Sequence, residues 1–182
     1  MPDEPLIKSR PTYTEVSLRP NAQKHLFVST AQSLSKIRSL YDEAPKGEKA
    51  LYLFGKPEVT GLGTECGSLS ELEVVINALP LASAVYVAGD EGFLWDVHNL
   101  AEKAGLASEQ IQLLAPESNK RRLFCTHCYA ITEEVTYSPH ACSGCGRLLL
   151  VRDHYSKLHG AYVGVQINAE DPADIPETEE LV

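Results

Sequence analysis

The sequence predicts an α/β fold, a small parallel sheet with flanking helices, followed by a small β module built around one metal site. Three observations carry this expectation. Apolar strand-like runs alternate with helix-period segments between about residues 25 and 114, a pattern that implies right-handed crossovers and a sheet covered by helices. Two Cys-x-x-Cys pairs, Cys125-Thr-His-Cys128 and Cys142-Ser-Gly-Cys145, follow with thirteen residues between them, the spacing of a tetrahedral thiolate site. The 182 residues, 43% hydrophobic and 23% charged, suffice for one ordinary core plus a small module.

The elements follow in order. Residues 1–23 are Pro-rich and weakly periodic, and read as an extended N-terminal arm. The α/β domain is placed at 24–118. It opens with a short buried strand at His25–Ser29 and a helix at Thr30–Glu43, on which Leu34, Ile37, Leu40 and Tyr41 recur at helical spacing. Lys49–Gly55 reads as a second strand, and Ser68-Leu-Ser-Glu71 forms a capping box for a helix running to Ala78. A third strand at Ala84–Ala88, a helix at Glu91–Ala104 stopped by Gly105, and a fourth strand at Ile111–Leu114 complete the domain. The four-cysteine module is placed at 119–168, with strands at Arg121–Phe124, Glu133–Tyr137 and Arg147–Arg152. Residues 169–182 hold six acidic and no basic side chains, which predicts a solvated acidic tail.

Cys125, Cys128, Cys142 and Cys145 are the expected metal ligands. In each pair the two intervening residues let the backbone turn so that both sulfurs point inward. Gly146 follows the second pair, where a turn needs positive φ, whereas Tyr129 stands at the equivalent position of the first. A disulfide framework and a redox dithiol are the competing readings. One Cys-x-x-Cys suffices for the dithiol, and nothing in the sequence suggests secretion.

Charge and hydropathy limit the partners. The net charge is −9, and such a surface repels phosphate backbones unless positive charge is concentrated. Between residues 120 and 160, six basic side chains less three acidic ones leave +3, a modest patch. No run approaches the ~18 apolar residues of a membrane span. The first ten residues carry acids and prolines rather than a basic and then apolar leader. The expectation is a cytoplasmic protein that binds neither membrane nor nucleic acid.

Other candidates are weaker. In Gly61-Leu-Gly-Thr-Glu-Cys-Gly67 the third glycine falls one residue late for a dinucleotide fingerprint, so turn glycines are the better account. Cys66 reads as a passive thiol. His127 lies inside the first knuckle beside a shell that four cysteines already fill, so it reads as a neighbouring or surface residue rather than a ligand, and His140 is a weaker alternative ligand. Asp153, His154, Ser156, His159 and Tyr162 crowd titratable groups into a short block. Adjacent Asp153 and His154 would face opposite ways in a strand, which favours partner contacts over catalysis, with Tyr155, Leu158 and Tyr162 supplying an amphipathic surface. Trp95 reads as core. No catalytic residue is assigned, and cofactor-binding residues are unknown.

Two resemblances add to this reading. Val85-Tyr-Val-Ala-Gly-Asp-Glu-Gly-Phe-Leu-Trp-Asp-Val97, continuing to the strand at Ile111–Leu114, is similar to the last strand-helix-strand of ferredoxin-reductase-type pyridine nucleotide domains. Members of that family usually carry cysteine and proline around the glycine, whereas Ala88 and Asp90 flank Gly89 here. The resemblance therefore implies a reductase-like scaffold without its cofactor. Leu123-Phe-Cys-Thr-His-Cys-Tyr-Ala130, the Cys-Ser-Gly-Cys-Gly146 knuckle and Val151-Arg-Asp-His-Tyr-Ser-Lys-Leu-His-Gly-Ala-Tyr-Val-Gly164 together resemble the small subunit of bacterial dimethylamine monooxygenase. Membership implies a cytoplasmic multisubunit enzyme. In it a haem-containing catalytic subunit and a reductase subunit carrying FMN and a 2Fe-2S cluster use NADPH and oxygen to convert dimethylamine to methylamine and formaldehyde. This chain would be the accessory subunit that assembles or orients them.

The identity of the ion separates the functional classes. Zinc makes the module, a zinc-ribbon-like β unit, a structural clamp whose binding energy contributes to folding. Iron makes it a rubredoxin-like electron relay. Neither knuckle carries the rubredoxin Cys-Pro-x-Cys-Gly, which favours zinc. A third class, a zinc-ribbon nucleic-acid or regulatory protein, rests on Lys120-Arg121-Arg122 and is opposed by the acidity of the chain.

Overall fold

The computed structural model of the chain describes residues 9–56, 61–171 and 173–182. Residues 1–8 of the expected arm and residue 172 of the acidic segment lie outside these. Two compact units emerge, one spanning Tyr13–Pro116 and one in which Glu117–Val182 joins the segment up to Thr12.

The α/β unit holds β1 (Lys24–Thr30), α1 (Leu34–Glu43), β2 (Lys49–Phe54), β3 (Thr64–Cys66), α2 (Leu69–Asn77), β4 (Ser83–Ala88), α3 (Glu91–Lys103) and β5 (Ile111–Leu113). The strands form one sheet in the order β3-β2-β1-β4-β5, and every pairing is parallel. All six residues of β4 are buried, as expected of a central parallel strand covered on both faces. Leu26, Val28, Val85 and Val87 pack with Leu72 and Ile76 of α2 and Leu94 and Val97 of α3. On the opposite face Phe27, Leu51, Leu53 and Tyr86 pack with Ile37 of α1.

Local signals set the helix ends. The Ser68 hydroxyl accepts from the Glu71 N–H, while the Glu71 carboxylate reaches one residue further back than a capping box requires and accepts from the Gly67 N–H. Asp90 caps α3 by accepting from the Phe93 N–H, and Gly105 at φ 95° ends the helix. Two differences from expectation have one cause, the extent of strand pairing. Thr30 pairs with Phe54 in the sheet, so the first helix starts at Leu34 rather than Thr30. The glycine-bearing loop contributes β3, a three-residue edge strand beside β2 that is too short to show a period.

The cysteine unit holds β6 (Arg121–Cys125), β7 (Ile131–Val135), β8 (Tyr137–Ser138), β9 (His140–Ala141), β10 (Leu148–Ser156), β11 (Ala161–Gln166) and β12 (Glu179–Glu180). Its main sheet runs β7-β6-β11-β10-β9, with β6 and β11 parallel and the other pairs antiparallel. The strand expected at Glu133–Tyr137 is found two residues earlier, and Glu134 at φ 58° lies within it, where the register against β6 shifts between Arg121 and Leu123. The strand expected to stop at Arg152 continues to Ser156 through a register shift between Val151 and Tyr155. Tyr155 and Tyr162, expected at an amphipathic surface, are 7% and 4% exposed and form an edge-on pair in the core; of that trio only Leu158 is solvent-facing. The acidic segment is also less free than a solvated tail. Its β12 pairs with β8 and Leu181 is buried.

Candidate metal centre

Each Cys-x-x-Cys occupies a tight turn between strands. Cys125 ends β6, and its N–H donates to Ala130 O across the first knuckle; the Cys142 N–H donates to Arg147 O across the second. The Tyr129 N–H closes onto Cys125 O and the Gly146 N–H onto Cys142 O at 2.9 Å each, so the two turns repeat one geometry. Tyr129 and Gly146 both take positive φ, 63° and 71°.

Side chains hold the knuckles against their neighbours. The N–H and hydroxyl of Thr126 both donate to Gly164 O of β11, at 3.1 and 3.0 Å. The Ser143 N–H donates to the buried Thr132 hydroxyl at 3.1 Å, and the Ser143 hydroxyl donates to Ile131 O. Gly144 sits where the two turns meet. A Cβ there would lie 2.6 Å from the Ala130 Cβ and 3.2 Å from the Cys128 Sγ, so a glycine is required for this approach.

The result is a convergence of four sulfurs. Cys125, Cys128, Cys142 and Cys145 bring their Sγ atoms within 4.8 Å of one another, with Cys125 to Cys145 at 3.9 Å and Cys128 to Cys142 at 3.6 Å. A tetrahedral shell with metal–sulfur bonds of about 2.3 Å has edges of about 3.8 Å. The donor set and spacing therefore fit one ion. The same distances lie far outside a disulfide bond of about 2.05 Å, and all the cysteines are free.

Electrostatics prepare the site for a cation. Burial pushes the Cys142 thiol up, but the N–H groups of Gly144 and Cys145 and the thiols of Cys128 and Cys125 outweigh it and bring it down to about 6. At Cys128 the Ala130 N–H acts downward, yet burial and the hydrogen bonds it shares with the other three cysteines carry it up to about 11. Cys142 is thus the thiol of this pair that gives up its proton more readily, and loading an ion onto cysteine ligands releases protons.

The remaining candidates disperse. Among the described residues no histidine joins the four cysteines as a ligand group. His127 is exposed, and the His140 ring packs beside Tyr137. In the block from 153 to 162, the Asp153 carboxylate pairs with Arg10 at 2.8 Å and with Arg121 at 3.1 Å. His154 meets the Ser9 hydroxyl, and His159 stacks on Phe124 with ring centroids 4.5 Å apart. Arg121 opens an expected strand and belongs to a basic run in the sequence. Its guanidinium is 6% exposed and lies 4.4 Å from the Tyr162 ring centroid, a structural role that its spacing does not reveal. Cys66 is buried, with its thiol donating to Ser68 O.

In the α/β unit the strand order reverses about β1, and the β4–α3 turn lies where doubly wound sheets bind ligands. That turn is filled from within the chain. A Cβ on Gly89 would lie 2.5 Å from the Phe93 ring, so the glycine accommodates a side chain. The N-terminal Phe93 N–H of α3 is taken by the Asp90 carboxylate. Trp95 is buried.

Comparison with known proteins bears on the same segment. A family model described as dimethylamine monooxygenase subunit DmmA-like, C-terminal domain, matches residues 122–165, the stretch from β6 to β11. A protein of Ectopseudomonas mendocina (strain ymp), named heme-dependent oxidative N-demethylase delta subunit, is 31% identical over 170 residues, covering 90% of this chain and 91% of that protein. No solved structure matches significantly.

Proposed function

We propose that this chain, which belongs to the family of the heme-dependent oxidative N-demethylase delta subunit, serves as the accessory metal-binding subunit of such an enzyme. The observation that carries the reading is identity spread over 90% of the chain, together with four converging cysteines in the segment that the family model covers. The substrate of the assembled enzyme is dimethylamine, which NADPH and oxygen convert to methylamine and formaldehyde in the cytoplasm. Haem resides on a catalytic subunit, and FMN and a 2Fe-2S cluster on a reductase subunit. This chain assembles or orients those two.

Zinc is the ion proposed for Cys125, Cys128, Cys142 and Cys145. Bound there, it supplies four metal–thiolate bonds and no electron-transfer chemistry. The residues themselves support a clamp: Thr126 ties the first knuckle to β11 and Ser143 ties the second to Thr132, so closing the shell locks both ends of the sheet together. Iron in the same shell would make the unit a one-electron relay, and the all-thiolate donor set accepts either ion.

Elemental analysis and an absorption spectrum of the chain purified with its co-expressed partner subunits test this reading. One zinc per chain, with demethylation impaired when the chain is omitted, is expected. One iron with bands that bleach on reduction would replace the clamp by a relay. Full assembly and turnover without the chain would overturn the accessory role.

A further inference from the structure

Beside the second knuckle, the Arg147 Nη1 and the His140 Nδ1 are both buried with no hydrogen-bond partner among the described residues. Register places them together. Leu148 pairs with Ala141 and Leu149 with His140, and the bond from the Cys142 N–H to Arg147 O carries the β9–β10 pairing one residue further. Directly opposed residues share a face of the sheet, as do residues two apart along a strand. His140, Cys142, Arg147 and Leu149 therefore project from one face, the inner one on which the fully buried Leu149 and Leu123 close over Gly164. From that face Cys142 turns its sulfur into the four-cysteine cluster.

The two orphans differ in what they demand. A neutral imidazole nitrogen lacks one hydrogen bond, whereas a guanidinium is always charged, and burying part of it without an anion is costly. The carboxylates of the surrounding segment are already taken. Between residues 120 and 160 the acidic side chains are Glu133, Glu134 and Asp153. Glu133 pairs with Arg122 at 2.8 Å, Glu134 with Lys120 at 2.9 Å, and Asp153 with Arg10 and Arg121 at 2.8 and 3.1 Å. The anion that Arg147 lacks is therefore not a carboxylate of this segment. Four thiolates around a divalent ion form a dianion, and Cys142, the residue opposite Arg147, is one of the four. The compensation is one-sided: in the first knuckle the matching position, which accepts the same bond from the Cys125 N–H, is the uncharged Ala130.

We infer that Arg147 is a positioning residue for the metal centre, its guanidinium supplying the countercharge of the loaded four-cysteine shell. The inference rests on the metal-centre reading proposed above. It explains why a cation stands on the inner face of the sheet, where an apolar side chain would satisfy packing alone. It also assigns Arg147 an effect on the ion itself, since a fixed positive charge favours whichever state of the shell is more negative.

The test loads the full chain and its variants with zinc or with iron. Arg147→Met keeps the apolar stem and removes the charge, Arg147→Lys keeps a charge, and Arg152→Met, at an exposed position of β10, is the control. Competition against a chromogenic chelator is expected to show zinc retention about tenfold weaker in Arg147→Met, with Arg147→Lys and the control within about threefold of wild type. Electrochemistry adds a readout that packing alone does not move. A neighbouring cation favours the ferrous shell, which is more negative than the ferric one. The iron midpoint potential of Arg147→Met should therefore fall by about 59 mV, the equivalent of tenfold, while that of Arg147→Lys stays at the wild-type value. Equal zinc retention and equal potentials in wild type and Arg147→Met overturn the role of Arg147 and leave the metal centre standing. Matching losses in Arg147→Met and Arg147→Lys, or a loss of zinc retention without a shift in potential, overturn charge compensation in favour of packing. A wild-type chain that holds neither ion overturns both readings. Should Arg147→Met fail to fold, Arg147→Gln takes its place under the same criteria.

Discussion

Tyr129 and Gly146 stand at the same position of two repeated turns, each one residue beyond the second cysteine of its pair, and their φ angles differ by only 8°, 63° against 71°. Nothing lies within 4 Å of a Cβ placed on Gly146, so its conformation, not crowding, is what demands glycine. Gly146→Ala is expected to destabilise the cysteine unit by about 1 kcal/mol. Tyr129→Gly releases strain of similar size, set against the loss of its contact with Phe124, and leaves folding near wild type. Thermal unfolding of the metal-loaded chain checks both; a larger loss for Tyr129→Gly than for Gly146→Ala would contradict the assignment of strain.

The four sulfurs converge as one donor set, and the ion proposed there is expected to be lost with any one of them. Cys125→Ser and Cys142→Ser are each expected to abolish stoichiometric metal and, with it, the order of the cysteine unit. Cys66→Ser, in the other unit, retains the full metal content. Gly144→Ala keeps all ligands but drives a methyl group into Ala130 and the Cys128 sulfur, and about tenfold weaker metal retention against a chelator is expected. Elemental analysis after dialysis measures all four. Equal metal content in Gly144→Ala and wild type at every chelator concentration would refute the requirement for close approach.

Arg121 is a buried cation held by the Asp153 carboxylate, the Val182 carbonyl and the Tyr162 ring. Asp153→Asn removes its countercharge, and a loss of about 3 kcal/mol is expected, since an uncompensated buried charge costs more than an intact pair contributes. Burial raises the Asp153 carboxyl, but Arg10 and Arg121 outweigh it and hold it below the usual carboxylate range. The sign follows: the contribution is complete above the unfolded value of about 3.9 and disappears as pH falls through the depressed folded value. Denaturant unfolding at pH 7 and at pH 3 should show the difference between wild type and Asp153→Asn shrinking with acidification.

His25 supplies a second pH dependence, in the α/β unit. The Tyr86 hydroxyl accepts from the Arg19 N–H at 2.9 Å and shares a hydrogen bond with the buried His25 Nδ1 at 3.1 Å. Burial lowers the His25 pKa, and Glu48 opposes this only in part. The unfolded chain therefore binds the proton first, and stability should fall as pH drops below about 6.5. Trp95, the sole tryptophan, reports this unit by fluorescence. His25→Phe should flatten the stability profile between pH 7 and 5, and an unchanged slope would rule out His25 as its source.

The features that were legible in advance were local ones. Cys-x-x-Cys spacing is a short-range constraint, so all four cysteines could be named before any fold was known. The alternation of strands and helices from His25 to Leu113 was equally readable, because burial on both faces of a central parallel strand leaves continuous apolar runs such as Ser83–Ala88. The cap at Ser68 acts within one turn and needed no tertiary context to place its helix.

What tertiary structure alone decided depends on partners distant in sequence. Strand β11 pairs with β6 across nearly forty residues, Val163 beside Phe124, and that pairing buries Tyr155 and Tyr162, which the local pattern had placed at a surface. The same register turns Phe124, Val163 and Val165 into a single outward strip, and it places Arg121 beside Asp153 in the interior. Spacing dictates which groups within a turn can meet. Which face of a strand becomes core is decided only when another strand pairs with it, since a shift of one residue would exchange the two faces.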